Sequence, residues 1–274
     1  MFIRKLPLLV VLLTLFAFTN ISVAATYTVA NVKGSYSFLA NRWNTPSGGQ
    51  GAEIGILNFD GAGAVTSGFM TIMNDGTLIR LTVTSGSTYA VSPNGSGSMA
   101  LNLTGGGING TLPVGFVLNS VSGSIAKSLQ LLELDSTNQS GVLAATANLI
   151  NLSGPATAAK LKGTYSILLN WWTNTAPQQA LVGAIKFDGA SKVTLSFTGR
   201  QGFELATTGT GSGTYSVNPD GSGSINLTLS NGTIMQFDLV MNSIAGTSVA
   251  KGIQLLDVTD PSSTSVKTGT AVYE

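Results

Sequence analysis

Apolar and polar positions alternate along this chain in short runs, and turn residues separate the runs at close intervals. The clearest run is Ser224-Ile225-Asn226-Leu227-Thr228-Leu229. Its strict alternation puts Ile225, Leu227 and Leu229 on one buried face of a strand. Residues 163–172, 181–187, 192–198, 211–217, 224–229, 233–241, 249–258 and 266–273 all read as strands. Asp188-Gly189 predicts a tight hairpin with positive φ at both central residues. Pro219-Asp220-Gly221 and Asn231-Gly232 supply further turns. No stretch beyond the first residues has a helical period. Eight sequential antiparallel strands predict an all-β up-and-down barrel, which removes exposed sheet edges. A two-sheet β-sandwich is the alternative.

The pattern occurs twice. Val32-Lys33-Gly34-Ser35-Tyr36-Ser37 returns as Leu161-Lys162-Gly163-Thr164-Tyr165-Ser166, and Phe59-Asp60-Gly61-Ala62 returns as Phe187-Asp188-Gly189-Ala190. Thr88-Tyr89-Ala90-Val91-Ser92-Pro93-Asn94-Gly95 returns as Thr214-Tyr215-Ser216-Val217-Asn218-Pro219-Asp220-Gly221. Ala126-Lys127 and Gln130-Leu131-Leu132 return as Ala250-Lys251 and Gln254-Leu255-Leu256. A repeat this long predicts two tandem eight-stranded barrels, at residues 26–150 and 159–274, joined by a linker at 151–158 that contains Gly154-Pro155. The first copy is slightly longer, and its extra residues are expected in loops around residues 74–87 and 105–112.

The opening Gly34-Ser35-Tyr36 and Gly163-Thr164-Tyr165, each followed by seven meandering strands, resemble the calycin plan of lipocalins and avidins. Those families place Gly-x-Trp there; here Tyr stands for Trp. The resemblance implies a calycin-like barrel. The recurring Gly-Thr-Tyr, Phe-Asp-Gly and Pro-Asp-Gly-Ser-Gly blocks also resemble uncharacterised exported bacterial proteins, a likeness that covers both copies and implies no activity.

The first residues change the picture of where the chain works. Arg4 and Lys5 precede an apolar run at residues 6–18, and Ser22-Val23-Ala24 gives small residues for cleavage. Residues 1–24 therefore read as an export signal, too short for a membrane span. No cysteine stands at the junction, which excludes a lipid anchor there. No second long apolar stretch follows, so no transmembrane helix is expected. The chain is read as periplasmic or extracellular.

With 13 basic and 12 acidic residues in all, charge gives no reason to bind nucleic acid or an anionic membrane. Charged residues are only 9%, so Ser, Thr, Asn and Gly must make much of the surface. The chain has no Cys and no His. This removes Ser-His-Asp and Cys-His catalysis, most zinc and copper sites, haem attachment through cysteine and iron–sulfur clusters. No cofactor and no metal is expected.

Four residues are candidate ligand contacts. Asn41 and Trp43 match Asn170 and Trp172, each pair two apart near the end of a first strand and hence on one face. Asn beside Trp suits a glycan or a flat ligand, by amide hydrogen bonds and stacking; the alternative is a Trp that plugs the barrel. Asp60 and Asp188 each precede Gly and read as turn residues. Asp220 matches Asn94, a swap that suits a turn and not a catalytic carboxylate. Glu133 and Asp257 match, as do Lys127 and Lys251. Both pairs read as solvated charge at strand ends, too far apart along a strand for one acid–base pair.

Three functions follow. The first is a non-enzymatic module binding a small apolar or glycan ligand, since an eight-stranded ring is wide enough for one. The second is a structural or matrix protein that self-associates. The third is one 16-stranded outer-membrane barrel, against which stand short strands and a last residue, Glu274, that is charged rather than aromatic.

Overall fold

A computed structural model describes residues 26–44, 50–74, 76–134, 141–151, 154–172, 178–202, 205–243, 249–260 and 265–274. The expected export signal, residues 1–24, lies outside the described residues. The first half holds β1 (Lys33–Asn44), β2 (Gln50–Asp60), β3 (Val65–Asn74), β4 (Thr77–Val83), β5 (Thr88–Val91), β6 (Ser96–Gly105), β7 (Ile108–Ser122), β8 (Ile125–Glu133) and β9 (Gly141–Ile150). The second holds β10 (Lys162–Trp172), β11 (Gln179–Asp188), β12 (Lys192–Gln201), β13 (Thr207–Val217), β14 (Ser222–Leu229), β15 (Ile234–Ser243), β16 (Gly252–Asp257) and β17 (Val266–Tyr273). All pairings are antiparallel, and β10 to β17 close into a ring of eight. The first ring runs β4-β3-β2-β1-β9-β8-β7-β6-β5 and closes through β4 and β6, where Val83 pairs with Leu103. The chain therefore forms two barrels, neither a pair of sandwiches nor one 16-stranded ring.

The first barrel has nine segments because its fourth strand is broken. Between β4 and β5, residues Thr84 to Ser87 leave the ladder. The Ser87 hydroxyl accepts the Asn102 N–H at 2.8 Å and donates to the Thr84 carbonyl at 2.9 Å. Gly86, at φ +83°, takes the turn. The expectation of loops at residues 74–87 and 105–112 is corrected accordingly. Thr77–Val83 is a strand, and residues 108–112 begin β7.

Nearly every matched block of the repeat serves one end of each barrel. A short 3-10 helix, Val29–Asn31 or Ala158–Lys160, lies across that end. The Tyr89 hydroxyl donates to the Val32 carbonyl at 2.7 Å, and Tyr215 donates to Leu161 at 3.0 Å. Tyr36 donates to the Ala126 carbonyl at 2.7 Å, and Tyr165 to Ala250 at 2.8 Å. Phe59 sits edge-to-face between Tyr36 and Tyr89, at 5.4 and 5.1 Å; Phe187 does the same between Tyr165 and Tyr215, at 5.5 and 4.9 Å. Burial pushes all four phenol hydroxyls above their usual range, so each donates throughout the ordinary pH range. The Gly of Gly-x-Tyr is required here. Gly34 and Gly163 have φ +107° and +110°, and a Cβ on Gly163 would lie 2.7 Å from the Tyr273 ring.

The Asp-Gly turns differ from the tight hairpin expected. Only the glycine is left-handed, at φ +84° for Gly189, and the loop runs to Lys192. Asp188 organises it by accepting N–H groups from Ala190, Ser191 and Lys192 at 2.8, 2.9 and 3.0 Å. Those bonds hold its carboxyl below the usual range, Ala190 contributing most. Asn94 and Asp220 do the same job with one oxygen each. Each accepts the N–H and hydroxyl of the serine two residues on, Ser96 at 3.0 and 2.7 Å and Ser222 at 2.9 and 2.6 Å.

The barrels pack against each other. β2 is buried on both faces, one inside its own barrel and the other, with Ala52, Ile54 and Ile56, in one apolar cluster with the second barrel's core. β16 is buried at every residue. Arg80 makes both of its contacts with the Asp238 carboxylate, at 2.9 and 3.2 Å, across the seam.

The tyrosine hydroxyls give a direct check. Tyr165→Phe keeps the ring and strands the buried Ala250 carbonyl, at an expected cost of about 1–3 kcal/mol. Denaturant melting measures it, and Tyr36→Phe should match it within about 1 kcal/mol. A neutral result in both would remove the hydroxyls from the closure.

Candidate functional site

The two barrels differ at the end opposite the aromatic clamp. Pairing across strands defines rows of inward residues that can be compared copy by copy, starting from the matched tyrosines. One row past them, Phe38, Gly55, Met70 and Leu81 in the first barrel answer to Ile167, Gly183, Phe197 and Gly209 in the second. The next row sets Ala40, Glu53, Ile72 and Ile79 against Leu169, Leu181, Gly199 and Thr207. In the same register Val83 answers to Gly211. The first barrel thus points Leu81, Val83 and Ile72 inward where the second has three glycines, while Gly68 beside Val83 answers to Leu195 beside Gly211.

The lumens follow from this. In the first barrel Leu81 and Val83 are buried in the core. The second barrel opens instead into a cavity of about 630 Å³. Trp171, Leu181, Phe197, Gly209, Met235 and Lys267 line it. Gly209 matters because an ideal Cβ there would lie 2.5 Å from the Phe197 ring, so the ring rests on bare backbone. The apolar and aromatic side chains Trp171, Leu181, Phe197, Leu229 and Met235 share the walls with Thr207, Thr208, Asn231 and two cations, Arg200 and Lys267.

Each barrel carries a buried ion system in this region. In the first, the Arg42 guanidinium lies 2.9 Å from both Glu53 and Glu133, and all three side chains are at most 10% exposed. Burial pulls the Arg42 pKa down, but the two carboxylates more than offset it, so the group stays above its ordinary value. For Glu53 burial wins. It pushes the carboxyl above the usual range, Arg42 pulls back, and Glu133 adds to the rise. In the second barrel Lys267 lies 2.7 Å from Asp257, and its ammonium stands 5.8 Å from the Trp171 ring centroid. The other Asp257 oxygen accepts the Thr259 N–H at 2.7 Å.

Glu133 and Asp257 are register equivalents, as the repeat implied, but they are not solvated strand ends. Their side chains are 7% and 5% exposed, and each holds a cation inside its barrel. The cations come from Arg42 and Lys267 rather than Lys127 or Lys251. Lys251 instead lies over the Tyr273 ring at 4.4 Å.

The expected ligand residues fall as follows. Asn170 and Trp172 are half-buried and alternate with Trp171, so they occupy the outer face of β10. There they border a shallow groove of about 350 Å³ beside the mouth, with Arg200. Asn41 lies at the seam, where its side chain accepts the Thr268 hydroxyl at 3.5 Å. Trp43 pairs with Gln50 and Val142 in the ladder, and its side chain lies outside the described residues. The residue that reaches the lumen is Trp171, whose partner in the first copy is Arg42. Trp171, Arg42, Glu53, Lys267 and the glycines were not singled out from sequence. The available signal was the period-two run Gly209-Thr210-Gly211-Ser212-Gly213, which leaves one face of a strand without side chains. Among the described residues no group of three or more His, Cys, Asp or Glu is placed to hold a metal ion, and no helix is long and apolar enough to cross a membrane.

No family model matches the chain, and no curated protein matches it. Two solved structures are similar. One is a protein of unknown function from the DUF3598 family of Nostoc punctiforme, at 12% identity and TM-score 0.27, covering 90% of this chain and 97% of that one. The other is kievitone hydratase from Nectria haematococca, at 7% identity and TM-score 0.28, covering 92% of this chain and 94% of that one. The expectation of a non-enzymatic protein is corrected here. One of these similar structures is that of an enzyme, so the absence of catalysis is not carried forward.

The ion system sets the response to pH. The folded chain holds the Glu53 proton to higher pH than the unfolded chain does. Stability from this group therefore falls as pH rises from the ordinary glutamate range through the raised folded value. Glu53→Gln should remove the fall, so its advantage over wild type grows as pH rises above the ordinary glutamate range in urea melts. Arg42→Met leaves two facing carboxylates buried, with an expected loss of about 3–5 kcal/mol at neutral pH that shrinks in acid. An Arg42→Met loss that did not change with pH would contradict the triad.

Proposed function

We propose that this is an exported two-barrel protein whose second barrel holds one small, mostly apolar molecule in its lumen. The first barrel is its filled, rigid support. The observation that carries the reading is the exchange of Leu81 and Ile72 for Gly209 and Gly199 at equal register, both glycines lining the cavity. A duplicated barrel that packs one lumen and empties the other has been emptied at particular positions. Glycine in a strand interior costs roughly 0.5–1 kcal/mol relative to alanine. That cost is balanced if the space is used. A cavity of about 630 Å³ is within the range of small-molecule sites, and its wall of Trp171, Phe197, Leu181 and Met235 suits an apolar body. Export is supported by Arg4, Lys5 and the apolar run that follows them.

Refilling the lumen tests this. Gly199→Ile restores the side chain that Ile72 supplies in the first barrel, on a residue that lines the cavity. Its Cβ would meet nothing nearer than the Ala180 carbonyl at 3.6 Å. The neutral fluorescent probe N-phenyl-1-naphthylamine is expected to brighten with wild type. It should fail to do so with Gly199→Ile, whose thermal stability should equal or exceed wild type. No brightening with wild type, or equal brightening with both, would sink the lumen as a binding site.

A further inference from the structure

The two ion systems are the same device with one part missing from the second. In the first barrel one cation, Arg42, sits between two carboxylates, Glu53 and Glu133, at 2.9 Å from each. In the second barrel the Glu133 equivalent is kept as Asp257, and the cation comes from the neighbouring strand as Lys267, which pairs in the ladder with Trp171. The Glu53 equivalent is Leu181, and Leu181 faces the cavity. The cation of the second barrel has one carboxylate where the first has two, and the empty place opens onto the lumen.

We infer that the second barrel takes its missing carboxylate from outside, and that its ligand is a monocarboxylic acid with an apolar body. This rests on the lumen reading above. Asp257 accepts the Thr259 N–H on one oxygen, and its other oxygen is ion-paired with Lys267 at 2.7 Å. Lys267 carries three N–H donors, and its ammonium lies 2.7 Å from an Asp257 oxygen without a directed hydrogen bond to it. Its side chain is 23% exposed and lines the cavity, whereas its Asp257 partner is 5% exposed beneath it. The acceptor that these donors take in a chamber whose lining charges, Lys267 and Arg200, are both positive is a second carboxylate, as Arg42 takes in the first barrel. Trp171, beside the ammonium, and Phe197, deeper in the chamber, then flank the apolar body.

The probes are decanoate and the neutral decanol, titrated calorimetrically into the purified chain at neutral pH. Decanoate is expected to bind about ten-fold or more tightly than decanol, the size of a charge-assisted hydrogen bond. Leu181→Glu rebuilds the missing carboxylate inside the protein and should abolish decanoate binding. Lys267→Met should bring decanoate down to the decanol level. If that variant unfolds, the Lys267→Met/Asp257→Asn pair removes the cation without leaving a buried charge. Equal affinity of wild type for the two probes would overturn the acid inference and leave the lumen reading intact. Undiminished decanoate binding by Leu181→Glu would overturn it in the same way. Binding of neither probe overturns both.

Discussion

A closed ring of eight strands fixes the volume of its own interior, and that volume has to be dealt with. The strand number sets the diameter, and the alternation of side chains decides which residues are spent on the inside. The first barrel spends Leu81, Val83, Ile72 and a buried ion triad. The second spends glycine at the equivalent places, and its lumen is open. The other differences between the copies follow from this choice. Trp171 stands at the mouth where the other copy has Arg42, and one carboxylate has become Leu181.

The end that both copies share is treated in the opposite way. There the matched residues form a fixed assembly of phenol hydroxyls, backbone carbonyls, edge-to-face rings and a short 3-10 helix. The hydroxyl of Tyr165 reaches the carbonyl of Ala250, 85 residues away in the chain. Such bonds hold the first strand of the barrel to the last hairpin, where a ring is most exposed to fraying. The rigid closed end lets the mouth vary. Glycines removed from the packing at one end are tolerated because the other end keeps the strands in register.

The seam adds a second constraint. β2 must serve two cores at once, so it has lost the alternation of a half-exposed strand and reads Ala52-Glu53-Ile54-Gly55-Ile56-Leu57. Its Glu53 points into the first barrel, while Ile54 faces the second. Glu53 is thus a carboxylate in a strand buried on both sides, and Arg42 is what makes it tolerable. The ion triad and the seam are consequences of one strand.

Much of this architecture was written locally. Alternation in residues 224–229, the Asp-Gly and Pro-Asp-Gly turns and the four matched blocks set the strand count, the barrel and its duplication, because side-chain period and turn chemistry act over a few residues. The equivalence of Glu133 and Asp257 was also legible, although their burial was not. What lay beyond reach was which residues face one another around a ring. Arg42 meets Glu53 and Glu133 from three strands, and Lys267 meets Asp257 and Trp171 from three others. Trp171 was passed over for Trp172 because Asn-x-Trp is the repeated pattern, whereas the strand's inward parity, set by Tyr165, selects Trp171. Alternation along a strand is a property of the sequence. Which face turns inward, and what stands across the lumen, is decided only when the eight strands close.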